Sequence, residues 1–171
     1  MTRFERFLAA FEKALNHVAG VAQYIAIAVF VFMMLLTTGD VAGRLTIRPI
    51  YGTYELTGIG LSILIFFSLG RTQLKKEHIA ITFVVDRWPH RAQAILNTVT
   101  YFVLSLLVAT LTWQMTVHAR RLMAGGDITL DLRMPLYLFA YVAALGLLIF
   151  TATLLLEFLK SLLKVVRSGE Q

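Results

Sequence analysis

The chain has 171 residues, of which 58% are hydrophobic and only 15% charged, whereas a soluble domain of this size carries roughly a quarter charged residues. Lipid must be the solvent for most of it, which excludes a soluble enzyme or a freely diffusing binding module. A formal charge of +6 does not make it a nucleic-acid binder, because the 16 Lys and Arg fall in short clusters between apolar runs and suit anionic headgroups instead, and the absence of cysteine excludes disulfides, thiolate metal sites and dithiol redox chemistry.

In chain order, residues 2–16 come first. Phe4, Phe7, Leu8, Phe11 and Leu15 recur at helical spacing against Arg3, Glu5, Arg6, Glu12 and Lys13, which predicts an amphipathic lead-in lying in the interface. A first span follows at about 17–39. Its apolar run is too long for a signal-peptide core, and Thr37-Thr38-Gly39-Asp40 is no cleavage site, so it is read as a retained helix. The uncharged stretch Leu56 to Gly70 is too short to cross the bilayer alone, since about 20 residues are needed. It becomes long enough as a span over 51–72, which carries Glu55 inside its first turn or so.

After that span, Lys75-Lys76-Glu77-His78 leads into 79–88, where Ile79, Ile81, Phe83, Val84, Val85 and Trp88 mix with Thr82, Asp86 and Arg87 before Pro89. This reads as a short surface helix, because the residue before a proline is pushed out of helical geometry. Lys75, Lys76, Arg87, Trp88 and Arg91 are its expected contacts with lipid headgroups. A third span is expected over 92–119, with the helix running to about Ala124 and Gly125-Gly126 supplying a left-handed stop, and Pro135 suits the first turn of a fourth span over 134–158.

Lys and Arg favour the cytoplasmic side of short loops. The N-terminal tail holds three, the connection between the second and third spans five and the C-terminal tail three, against two and three in the remaining loops. The predicted fold is therefore an all-α integral membrane domain over 1–171. It has four transmembrane helices with both termini cytoplasmic, an N-terminal amphipathic helix and a cytoplasmic interfacial helix between spans 2 and 3.

Glu55 is the first candidate for chemistry, since an ionisable group at membrane depth is by default a functional hypothesis. It is either a coupling site for a proton or cation or, on the structural reading, a partner of Arg44 or Arg48, with Asp40 and Arg44 paired at i, i+4. The four histidines do not assemble a haem site: His17 and His118 fall at opposite ends of the bundle, and His78 and His90 lack metal-ligand spacing. His78 is left as a headgroup or partner contact. Gly39 with Gly43, Gly58 with Ser62, and Ala140 with Ala144 and Gly146 offer close helix packing. No cofactor or metal site and no catalytic residue is expected. The middles of the helices are nearly free of polar groups, unlike a transporter core with broken helices, which points to an accessory or scaffold subunit.

The stretch from Gly39 to Arg91 resembles the small membrane subunit, called Q or DctQ-like, of tripartite ATP-independent periplasmic (TRAP) transporters. The resemblance rests on Asp40-Val-Ala-Gly-Arg44, Glu55-Leu56, Phe66-Phe67-Ser68-Leu69-Gly70-Arg71, Glu77-His78-Ile79 and Trp88-Pro89. A second patch runs from Gly126 to Gly146 around Leu132-Arg133-Met134-Pro135. Thr82 departs from the family, which often has an acidic residue there. The resemblance implies a non-catalytic subunit of a sodium-driven importer of organic acids in the inner membrane of a bacterium or archaeon. It implies a large multi-span M-type subunit that holds the sodium coupling, and a periplasmic substrate-binding protein. It also implies ion pairs or partner contacts at Arg44, Glu55 and Arg71. Two rival readings are a membrane anchor of a redox complex and the small subunit of a tricarboxylate-type tripartite transporter. A small multidrug-type exporter is a third, and it requires a carboxylate nearer the bilayer centre than Glu55.

Overall fold

Of the three prolines, Pro49 and Pro89 fall outside the long apolar runs and Pro135 falls at the very start of the last one, so nothing in the middle of those runs breaks a helix. The computed structural model describes residues 3–46, 48–74 and 90–168. Four helices result: α1 (Arg3–Thr46), α2 (Thr53–Leu74), α3 (His90–Gly125) and α4 (Leu136–Ser168). Each contains a stretch long and apolar enough to cross a membrane. The expected stop of the third helix is present: Gly126 takes φ +67° and Asp127 N–H donates to the Leu122 carbonyl at 3.2 Å, closing the last turn.

Residues 3–16 form the first turns of α1 and continue into the apolar run without a break, so the lead-in is not a separate helix. Part of its apolar face has a protein partner. Leu8 and Leu15 are buried against Leu156 of α4, with Leu74, Leu159 and Leu163 around them, while Phe11 remains exposed. At about 1.5 Å per residue, the 44 residues of α1 rise roughly twice the thickness of the hydrocarbon core. The surface helix expected at 79–88, together with Lys75, Lys76, His78, Arg87 and Trp88, lies outside the described residues; Arg91 falls in the first turn of α3.

The bundle is organised around α4. It packs extensively on α3 and α2 and more lightly on α1, while α1 packs chiefly on α2. About 44% of the apolar window of α4 is buried, against 11–17% for the other three, which makes it the central helix although it comes last in the chain. Small residues allow the approach. Ala19, Ala22 and Ala26 form one face of α1 and lie with Phe67 of α2 and Ile149 of α4. Val108 of α3 joins Leu147 and Leu154 of α4, with Phe66 packed on them. At Gly146 a methyl group would fall 2.8 Å from the Phe66 carbonyl oxygen, so α2 and α4 touch backbone to backbone.

Hydroxyl groups inside the spans bond locally. The hydroxyls of Thr57, Ser62, Thr110 and Thr116 donate to carbonyls one turn back. Two hydroxyl pairs tie α3 to α4, Thr112 with Thr151 at 3.0 Å and Thr98 with Ser161 at 2.8 Å. Such bonds supply direction in an interior where apolar contact alone does not favour protein over lipid.

Candidate functional site

Two polar constellations stand out, one at each end of the bundle. At the first, the short connection from α1 to α2 is held by Asp40, which is buried. Its Oδ2 accepts from Arg44 Nε at 2.8 Å and its Oδ1 from the Ile50 amide at 2.7 Å. One carboxylate thus fixes both a side chain one turn on and a main-chain group ten residues away. Thr53 then donates to the Ile50 carbonyl at 2.8 Å, and α2 begins.

Glu55 lies in the first turn of α2. It does not pair with Arg44 or Arg48. Its Oε1 accepts the Asp131 amide at 2.7 Å and its Oε2 the Leu132 amide at 3.0 Å, both from the loop between α3 and α4. The reason is geometric: Arg44 is turned back along α1 to Asp40, and the α3–α4 loop folds over α2 with its N–H groups inward. That loop is internally braced. Thr129 N–H donates to the Met134 carbonyl at 2.9 Å, the Met134 amide donates to Thr129 Oγ1 at 3.0 Å, and Leu136 N–H donates to the Asp127 carbonyl at 3.1 Å. Arg133 sits at φ +53°, an uncommon conformation for a side chain of its size. Gly52, at φ +75°, is the reciprocal fit, since a Cβ there would lie 2.6 Å from Leu132 Cγ.

The outcome is a platform built from two loops that are far apart in sequence. It presents Tyr51, Tyr54, Ile128 and Leu130, the last 94% exposed. Both Glu55 oxygens accept main-chain hydrogen bonds, which makes the carboxylate a latch between α2 and the loop. Beneath the platform an open, mainly apolar cleft of about 500 Å³ runs between α2 and α3 over α4, lined among others by Phe66, Met115, His118 and Ala140.

At the opposite end, Lys160 of α4 lies 2.6 Å from Glu12 of α1 and 3.4 Å from Glu157 on its own helix. Nearby, Arg71 of α2 donates through Nη1 to Asn16 Oδ1 at 2.9 Å and more weakly to the Asn16 carbonyl at 3.4 Å. Arg71 is thus held by an amide rather than by a carboxylate. The Lys160 cluster was not singled out from sequence, although an acid and a base three residues apart at the end of an apolar helix, with another acid in the lead-in, were a usable signal.

The residues expected to pack helices divide. Ala140 and Ala144 are buried in the bundle. Gly43 faces the Arg48 carbonyl and Gly39 faces Ile50, so both accommodate the returning loop instead of a neighbouring helix. Gly58 makes no close approach within the chain, as a methyl group there would have nothing within 4 Å. The approach on α2 is made at Gly60 against Met33 and at Gly70 against Ile149, on the faces turned to α1 and α4. His17 and His118 are exposed, on different helices and in different hollows. Among the described residues no three His, Asp or Glu side chains converge as metal ligands.

The family model described as tripartite ATP-independent periplasmic transporters, DctQ component, matches residues 33–164. The chain belongs to the DctQ family. That stretch takes in everything from the middle of α1 to near the end of α4, including Asp40, Glu55, the α3–α4 loop and Lys160. A comparison with curated proteins finds no significant match. DctQ membership makes this chain a small permease component of a TRAP transporter, a system that also uses a large DctM component and a substrate-binding protein.

Proposed function

We propose that this DctQ chain is the non-catalytic scaffold of a sodium-driven TRAP importer of organic acids, standing in the inner membrane with both termini in the cytoplasm. It supports the large transport subunit, which carries the solute and the sodium ions. The platform at Tyr51, Tyr54, Ile128 and Leu130 then faces the periplasm, where the loaded binding protein arrives. The larger number of Lys and Arg at the other end supports that orientation.

One observation carries this reading: hydroxyl groups within the spans are engaged with carbonyls of their own helix or with the neighbouring helix, while broad apolar faces are left outward. A solute pathway needs polar groups facing a cavity at mid-depth. A support needs apolar faces for lipid and for a larger partner, as Phe30, Phe32 and Leu35 on α1 and Leu106 and Leu107 on α3 provide. Reconstitution tests it. Vesicles containing this chain alone, with loaded binding protein outside and an inward sodium gradient, are expected to accumulate no solute. Vesicles that also contain the large subunit are expected to accumulate it. Sodium-dependent uptake by the purified chain alone would overturn the proposal.

A further inference from the structure

The end of the bundle where α2 stops carries a basic hollow that the scaffold role does not use. It is open to the outside, measures about 710 Å³ and is lined by Ala10, Lys13, Ala14, Asn16 and His17 of α1 and Arg71 of α2. Ala10, Lys13, Ala14 and His17 recur every three or four residues and so share one face of α1. The two alanines leave the floor low between the longer side chains.

Arg71 is fixed there by Asn16 through Nη1, yet its Nε is buried and has no hydrogen-bond partner. A guanidinium held on one side by an amide keeps its full charge, and an oxyanion is the ligand best suited to meet it, because a guanidinium edge offers two parallel donors to two oxygens. Among the described side chains no neighbouring acid cancels the charge. Among the described side chains at this end the carboxylates are Glu12 and Glu157, and both lie against Lys160 on the α4 side. The hollow also runs on into lipid-facing surface: Val18, Val21 and Ile25 of α1, about half exposed, continue from it along the span.

We infer that this hollow binds the phosphodiester of an anionic phospholipid, with Arg71 and Lys13 supplying the cations, Asn16 holding Arg71 in place, and the acyl chains lying along Val18, Val21 and Ile25. The joined apolar strip favours a lipid headgroup over soluble phosphate. The cations favour an anionic lipid over a zwitterionic one, as basic pockets between membrane helices generally do.

The test uses the full chain purified in detergent, exchanged into phosphatidylglycerol or phosphatidylcholine micelles and analysed by native mass spectrometry. Wild-type protein is expected to retain phosphatidylglycerol in preference to phosphatidylcholine. The double variant Lys13→Gln/Arg71→Gln is expected to lose that preference by on the order of tenfold. Arg48→Gln, which alters an exposed cation at the other end, is expected to keep it. A folded Lys13→Gln/Arg71→Gln variant, checked by circular dichroism, that retains phosphatidylglycerol like wild type would overturn the inference. So would equal retention of the two lipids by wild type, or displacement of the lipid by millimolar glycerol phosphate, which would assign the hollow to a soluble phosphate. Loss of co-purification with the large subunit in the double variant, with lipid retention unchanged, would equally overturn it in favour of a protein carboxylate.

Discussion

A carboxylate near the end of a span is tolerated only when something replaces its water, and for Glu55 that something is the main chain of a distant loop. Two amide donors at 2.7 and 3.0 Å hold both oxygens. Charge-assisted bonds of this kind are about twice as strong as neutral ones. Glu55→Gln keeps one acceptor oxygen and loses the charge, so amide exchange at Asp131 and Leu132 should rise severalfold. Glu55→Ala should raise it by roughly tenfold or more with helix content unchanged, as expected for local opening. Hydrogen exchange of the purified protein reads this directly, and unchanged protection at the two amides would show that the latch is not what holds the loop. The presence of an unusual acid at this position was legible in the sequence. Its partner was not, because backbone N–H groups 76 and 77 residues away leave no mark in residue type. The pairing Asp40–Arg44 was easier to anticipate, since it is set by one turn of a single helix.

At the scale of elements, the contact that sets α2 against α4 is Gly146 on Phe66. A methyl group added at Gly146 meets a carbonyl oxygen and a carbonyl carbon, neither of which can swing aside. Gly146→Ala should therefore cost about 1–3 kcal/mol, the usual range for forced overpacking. Gly58→Ala should be neutral or stabilising by up to about 1 kcal/mol, because alanine is the better helix former and the site is open. Thermal unfolding in detergent distinguishes the two, and equal behaviour would remove Gly146 from its assigned role. Four apolar runs bounded by charges and prolines sufficed to anticipate four helices and the Gly126 stop. Which glycine faces a neighbour depends on helix rotation within the bundle, and a run that is apolar all round carries no such phase. Gly58 and Gly60 lie two residues apart and differ in the structure only because Gly60 is turned toward Met33.

Across the whole molecule, contacts fall into two joined pairs. The helices α1 and α2, linked by the loop that Asp40 braces, lie together, and so do α3 and α4, linked by the loop that Glu55 holds. The seam between the pairs is mainly α2 on α4, with the lighter α1 contacts, the Lys160–Glu12 bridge and the Glu55 latch at its two ends. This division has a consequence for how the protein is made. The helix that organises the bundle leaves the ribosome after the other three, so α1 and α2 can settle as a hairpin while α3 has its principal partner still to be synthesised. Biogenesis should accordingly proceed by insertion of two hairpins followed by their lateral docking, as independently stable membrane segments allow. Cutting the gene between residues 75 and 89 and co-expressing the halves should yield fragments that co-purify, whereas a cut between α3 and α4 should strand α3 for degradation. Covalent continuity between the two hairpins would then serve to raise the local concentration of two already folded parts.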